Sequence, residues 1–90
     1  MKAVLFYRSA KDVLQKAPLH YPAHKARVDA FHARGDLIAV GTWADPGDGS
    51  MAVFRSRAAA EEFVREDPFV REGVVASHEI KDWNEGLLGD

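Results

Sequence analysis

Four apolar segments of the chain follow strand patterns. Residues 3–7 and 51–54 are apolar at consecutive positions, which predicts two strands covered on both faces. Residues 37–43 and 74–83 predict a second and a fourth strand, and the turn residues at 45–49 separate the second strand from the third. Longer segments separate the first strand from the second and the third from the fourth, and their apolar residues recur with a helical period.

A helical stripe separates the first two strands. It includes Val28 and Phe31 and ends at Gly35. Pro18 and Pro22 can each occupy a first helical position. A start at Pro18 would leave Pro22 inside the helix, without an N–H to donate to the carbonyl of Pro18. We therefore predict that this helix begins at Pro22 and that residues 9–17 form a polar connection.

A second helix is predicted between the third and fourth strands. Ser56 has the properties of an N-cap, and Phe63 and Val64 belong to the apolar face that follows it. Asp67 precedes Pro68, and a residue before proline is disfavoured in helical geometry, so the helix is expected to stop there. Residues 84–90, after the last strand, are predicted to form a loose C-terminal tail.

The element order β-α-β-β-α-β predicts a single α+β domain over residues 1–90. The expected architecture is a ferredoxin-like antiparallel four-stranded sheet with both helices on one face. The other face would expose about 400 Å² of flat area, and monomers rarely leave an apolar patch of that size in water. We expect a second copy of the chain to cover it, as a homodimer.

Composition excludes several classes of function. Twelve basic and fourteen acidic residues give a net charge of −2 without a basic block, so we expect no nucleic-acid binding. Cysteine is absent, which rules out thiolate chemistry and favours a reducing cytoplasm. The apolar run at residues 3–7 is too short for a signal peptide or a membrane span, so no membrane association is expected.

Several spaced residues give the chain a family resemblance. They are His24, the segment from Gly35-Asp36-Leu37 to Gly41, Glu66-Asp67-Pro68-Phe69 followed by Gly73, and Ile80 with Trp83. The pattern resembles the YCII-related family of the dimeric α+β barrel superfamily, whose members are similar in architecture to muconolactone isomerases. The resemblance implies that His24 and Asp67 form a catalytic or binding pair.

The residues themselves allow two interpretations of this pair. His24 shares a stripe with Val28 and Phe31, so it faces the sheet, and a helix start at Pro22 would place it where the helix dipole favours a neutral ring. It is either a general base or a buried histidine with a backbone partner. Asp67 either orients His24 or only caps the turn that begins at Pro68. Both roles are compatible if one carboxylate oxygen caps and the other accepts from His24.

Other side chains are candidates for ligand binding. We predict that Tyr7, Arg8, Phe69 and Trp83 form pocket walls, with Arg8 able to pair with an anionic substrate group; the alternatives are core aromatic residues and a solvated charge. Pro22 would exclude His20 from the helix of His24, so no metal site is expected. The sequence also has no cofactor-binding motif, so no cofactor is expected.

These observations lead to two functional hypotheses. In the first, the protein is a lyase or isomerase in which His24 moves a proton on a small cyclic or unsaturated organic acid and Asp67 orients the imidazole. In the second, the same pocket holds a metabolite without turnover, or the dimer is an accessory module. Ligand binding without product formation would distinguish the second hypothesis from the first.

Overall fold

A computed structural model describes residues 1–86. Its regular elements follow the predicted order, with a short helix added after the second long one. They are β1 (Lys2–Ser9), α1 (Val13–Ala33), β2 (Leu37–Thr42), a 3₁₀ turn (Pro46–Asp48), β3 (Ser50–Phe54), α2 (Arg57–Glu66), α3 (Pro68–Arg71) and β4 (Val75–Trp83).

The four strands form one antiparallel sheet in the order β2-β3-β1-β4. The predicted ferredoxin-like arrangement is confirmed, with the helices on one face. In β1, Ala3, Leu5 and Tyr7 belong to the core, whereas Val4 and Phe6 lie on the opposite face because side chains alternate along a strand. The central strands β1 and β3 are thus apolar on both faces, as their sequences predict.

The core lies between the sheet and the helices. Phe31 of α1 packs edge-on against Phe63 of α2, with ring centroids 5.2 Å apart, and Phe54 of β3 lies 5.3 Å from Phe63. The Arg27 side chain of α1 also links the two helices, because it donates hydrogen bonds to the backbone carbonyls of Glu62 at 2.8 Å and Phe63 at 3.0 Å. These contacts fix the C-terminal part of α1 against the C-terminal part of α2, just before the break at Asp67.

The predicted start of the first helix is wrong. The helix begins at Val13, so residues 9–17 are not all connection, and both Pro18 and Pro22 lie inside it. Each proline removes one backbone hydrogen bond. Both are exposed, so water can satisfy the carbonyls that lose a partner. Because the helix begins at Val13, His24 lies in its interior rather than in its first turn. The argument from the helix dipole, which acts within the first turn, therefore does not apply to His24.

His20 belongs to the same helix as His24, contrary to the expectation that Pro22 would exclude it. The four-residue spacing of the two histidines is therefore helical. Within residues 1–86, however, no group of three or more histidine, cysteine or carboxylate side chains is arranged to hold a metal ion.

The second half of the chain follows its predicted local signals. Ser56 accepts from the backbone N–H of Ala59 at 3.1 Å and starts α2. Asp67 is extended, at φ −67° and ψ 121°, as expected before a proline, and α3 begins at Pro68.

The predicted loose tail is wrong at Glu85, which is buried and forms an ion pair with Lys2. The remainder of that prediction, at residues 87–90, lies outside the described residues. No helix within residues 1–86 is long and apolar enough to cross a membrane.

Candidate active site

Three separate elements bring polar side chains together beneath α1. Tyr7 comes from β1, His24 from α1, and Asp67 from the break between α2 and α3. Asp67 is completely buried, and only 12% of the His24 side chain is exposed. Their meeting depends on long-range packing, because Tyr7 and Asp67 are 60 positions apart in the chain.

Asp67 is the centre of this arrangement. Its Oδ1 atom lies 2.7 Å from Nδ1 of His24 and accepts from the backbone N–H of Phe69 at 3.1 Å. Its Oδ2 atom accepts from the hydroxyl of Tyr7 at 2.6 Å. Capping and the histidine contact therefore share one oxygen, whereas the sequence-based expectation assigned them to different oxygens. The second oxygen is used by Tyr7 instead.

Aromatic contacts fix the orientation of the His24 ring. The ring stacks on Phe69, with centroids 3.8 Å apart and an angle of 3° between the planes. The edge of Phe63 approaches it at 6.2 Å. A carboxylate can only accept hydrogen bonds, so the Nδ1 atom facing Asp67 carries a proton. In the neutral ring, Nε2 is then unprotonated and available as a base.

Tyr7 has a role that the sequence did not reveal. Burial, followed by the nearby Asp67 carboxylate, raises the pKa of the Tyr7 phenol above its ordinary value. Tyr7 therefore remains protonated and donates to Asp67. The sequence pattern could have indicated this role, because Tyr7 follows Ala3 and Leu5 at alternating positions on the inward face of β1. A tyrosine hydroxyl buried there needs a polar partner.

A cavity of about 240 Å³ lies between α1 and the sheet, and both His24 and Tyr7 line it. Most of the remaining wall is apolar, and four hydroxyl side chains contribute to it. The apolar part includes Leu5, Val13, Ala17, Val40 and Phe69, and the hydroxyl-bearing residues are Ser9, Tyr21, Thr42 and Ser50. The cavity is large enough for a small organic molecule and lies directly beside the buried carboxylate.

Arg8 and Trp83, which the sequence predicted as pocket walls, do not line this cavity. Arg8 follows Tyr7 on β1 and therefore points to the opposite face, where it lines an open depression with Trp43 and Lys81. Trp83 pairs with Lys2 at the other end of β1. Of the predicted site residues, His24, Asp67, Tyr7 and Phe69 are brought together.

A family model described as the YCII-related domain matches residues 1–84. The chain belongs to the YCII-related family. One solved structure similar to this YCII-related domain is 5-chloro-2-hydroxyhydroquinone dehydrochlorinase, TftG, from Burkholderia phenoliruptrix, in complex with 2,5-dihydroxybenzoquinone. The two chains are 25% identical, the match covers all of both, and the TM-score is 0.76.

More distant structures share the fold alone with this YCII-related domain. Atu4242 from Agrobacterium tumefaciens is 9% identical, with a TM-score of 0.57 over 98% of this chain and 95% of the other. Rv0793 from Mycobacterium tuberculosis is 13% identical, with a TM-score of 0.52 over 96% of each chain. No curated protein matches the sequence.

Proposed function

We propose that this YCII-related domain is a small-molecule enzyme of the lyase or isomerase type, with His24 as general base and Asp67 as the residue that orients it. One observation carries the proposal. The buried carboxylate of Asp67 holds both His24 and Tyr7 beside the cavity that these two residues line.

The reaction begins with transfer of a substrate proton to Nε2 of His24. Asp67 accepts from Nδ1 and stabilises the imidazolium that forms, so no proton need pass to the carboxylate. In an elimination, the electron pair of the broken bond to hydrogen forms a double bond and the leaving group departs with its own pair. In an isomerisation, the imidazolium returns the proton to another carbon. A positioned base of this kind contributes about 10²–10⁴-fold to the rate.

The comparison with TftG supports the lyase form of the proposal. TftG is a dehydrochlorinase, and a six-membered ring compound occupies its structure. By analogy, we propose a small cyclic or unsaturated organic compound as the substrate of this chain. The apolar walls of the cavity suit such a ring, with the polar atoms of His24 and Tyr7 at one side.

To test the proposal, the protein is incubated with a panel of substituted hydroquinones and unsaturated ring acids, each of which bears a removable proton. Product formation is followed by NMR. We expect turnover of at least one compound and its loss in His24→Gln. His20→Gln is the matched control, because it makes the same change one helical turn away and outside the cavity lining. Saturable binding with no product from any compound would favour the metabolite-binding alternative.

We also propose that two copies associate through the sheet face opposite the helices. Val4 pairs with Val53 and Phe6 with Met51 on this face, which places four apolar side chains side by side. Trp43 and Trp83 are 43% and 44% exposed in the single chain. Val4 is already buried in the single chain, whereas Phe6, Met51 and Val53 are half-buried. A symmetric dimer would remove these three side chains and the two indoles from water without covering the cavity on the helix side.

A further inference from the structure

We propose that Tyr7 determines substrate specificity by presenting a hydrogen-bond acceptor to the cavity, so that the site prefers a neutral ring hydroxyl to a carboxylate anion. The inference rests on the proposed function, because it takes the same cavity as the substrate site. It also replaces the anionic ligand that Arg8 suggested from the sequence.

The direction of the Tyr7 hydrogen bond is the first argument. A phenol has one proton, and Tyr7 donates it to Oδ2 of Asp67 at 2.6 Å. Only the lone pairs of the phenolic oxygen remain for a ligand. The neutral His24 ring is in the same situation, because Nδ1 faces Asp67 and Nε2 carries a lone pair. Two acceptors therefore flank the reactive side of the cavity.

The charges around the cavity are the second argument. No lysine or arginine is among the residues that line it within the described chain. Arg27 is committed to the carbonyls of Glu62 and Phe63, and Arg8 lies on the other face of the sheet. Ser9 also lines the cavity, but it donates its hydroxyl proton to the carbonyl of Pro46 at 2.6 Å, so this proton is already used within the protein.

A carboxylate at the side of the cavity formed by Tyr7 and His24 would lose part of its hydration and meet two acceptors with the Asp67 carboxylate behind them, which is unfavourable. The hydroxyls of Tyr21, Thr42 and Ser50 are only neutral donors and cannot replace a cation there. A ligand hydroxyl, in contrast, can donate to Tyr7 or to Nε2 of His24. Hydrogen-bond polarity and the lack of a lysine or arginine among the lining residues of segment 1–86 thus favour the same substrate class, a ring with an un-ionised hydroxyl group.

Three ring compounds of similar size test this inference. Phenol has a donor, anisole has the same oxygen without the proton, and benzoate is an anion. Binding to the ¹⁵N-labelled full chain at neutral pH is followed by chemical shifts of cavity residues such as Leu5, Ala17 and Phe69. We expect phenol to bind about two- to tenfold more tightly than anisole, which is the range of one neutral hydrogen bond. Benzoate should bind roughly tenfold more weakly than phenol, or worse.

Two tyrosine variants locate the acceptor. Tyr7→Phe should weaken the preference for phenol over anisole and leave only the part contributed by Nε2 of His24, and an unchanged preference would overturn the role of Tyr7. Tyr21→Phe, which removes a hydroxyl from another lining residue without a bond to Asp67, should retain it. If Tyr7→Phe fails to fold, the wild-type order of the three ligands still decides whether the cavity prefers a neutral hydroxyl to an anion, and equal affinities overturn the inference.

Different failures have different meanings. Benzoate binding in the cavity as tightly as phenol, or equal affinities for phenol and anisole, would overturn the role of Tyr7 and leave the cavity as the ligand site. Loss of the phenol preference in Tyr21→Phe alone would also overturn it. The absence of cavity shifts with all three compounds would overturn both this inference and the proposed function.

Discussion

The hydroxyl of Tyr7 lies 2.6 Å from Oδ2 of Asp67, and this bond joins a central strand of the sheet to the break between two helices. The other oxygen of the same carboxylate faces His24 of α1. One buried group therefore links three elements of the fold and also orients the candidate base. The fold and the proposed chemistry of the site use the same hydrogen bonds, so changes at Tyr7 and Asp67 should affect both stability and activity.

The Tyr7–Asp67 bond should make stability depend on pH in alkaline solution. Burial and the nearby Asp67 carboxylate raise the pKa of Tyr7 in the folded chain, whereas an unfolded tyrosine titrates near pH ~10. The contribution of Tyr7 is therefore fully present below about pH 10 and is lost as the pH rises further. Above that pH the unfolded state binds one proton fewer, so the free energy of unfolding should fall by an additional ~1.4 kcal/mol per pH unit.

Urea unfolding from pH 9 to pH 11, on wild type and Tyr7→Phe, isolates this effect. The difference between the two free energies should shrink as the pH rises through this range. A constant difference would show that Tyr7 does not retain its proton in the folded state.

Asp67 should contribute more to the free energy of unfolding than an ordinary helix cap does. Asp67→Ala removes the acceptor of three donors and leaves the Tyr7 hydroxyl and His24 Nδ1 buried without it, which should cost about 2–4 kcal/mol. Asp67→Asn keeps the volume and an oxygen to cap Phe69, so its cost should be about 1–2 kcal/mol. Urea denaturation measures both, and equal small losses would reduce Asp67 to a cap.

The tautomer of His24 gives an independent test of the same pairing. With Asp67 in place, the neutral ring should carry its proton on Nδ1, as reported by the ¹⁵N chemical shifts of the imidazole. In Asp67→Ala this preference should weaken, because no carboxylate accepts from Nδ1. An unchanged tautomer would show that the contact does not orient the ring.

Much of the fold was predictable because its signals are local. The continuous apolar runs at residues 3–7 and 51–54 identified the central strands, and Ser56 and Asp67-Pro68 marked the two ends of α2. The start of α1 was not predictable by the same reasoning. Intrinsic preference places proline at helix starts, but here tertiary packing of the α1 face outweighs the cost of two interior prolines.

The candidate site was predictable only in part. Family resemblance identified His24 and Asp67, and the inward alternation of β1 made Tyr7 available. The bond between Tyr7 and Asp67 depends on how the break after α2 packs on β1, and no local pattern encodes that placement. The sequence did not reveal that Arg8 and Trp83 lie outside this cavity, because closeness to a site residue in sequence does not say which face or which end of a strand a side chain occupies.

Pro22, one of the two prolines inside α1, should still lower the free energy of unfolding. Pro22→Ala restores an N–H that can donate to the carbonyl of Pro18, and it should stabilise the chain by about 1–3 kcal/mol after the greater freedom of the unfolded state is included. Pro68→Ala is the matched control, because Pro68 is the first residue of α3 and needs no N–H donor there. It should destabilise by about 0.4–1 kcal/mol. Thermal unfolding of the two variants should thus shift in opposite directions, and a destabilised Pro22→Ala would contradict the helix described here.

Gly49 should be the glycine that tolerates substitution least. Its φ is +101°, and an added Cβ would lie 1.9 Å from the backbone oxygen of Tyr7, which cannot move without displacing β1. Gly49→Ala should therefore cost more than about 2 kcal/mol and perturb the cavity beside Tyr7. Gly41→Ala, where an added Cβ meets nothing within 4 Å, should stay within roughly 0.5 kcal/mol of wild type. Equal stabilities by urea unfolding would contradict the close approach.

The assembly of the chain should depend on the sheet face that carries Val4, Phe6, Met51 and Val53. Light scattering at micromolar concentration should give about twice the 10.0 kDa mass of one chain. Val53→Glu should convert this dimer to a monomer, because a symmetric interface would bury the new carboxylate in both copies without an opposite charge to pair with it. Ala58→Glu introduces the same charge on an exposed position of α2, on the helix side, and should remain dimeric. A wild-type chain that stays monomeric, or dissociation by Ala58→Glu alone, would contradict association through this face.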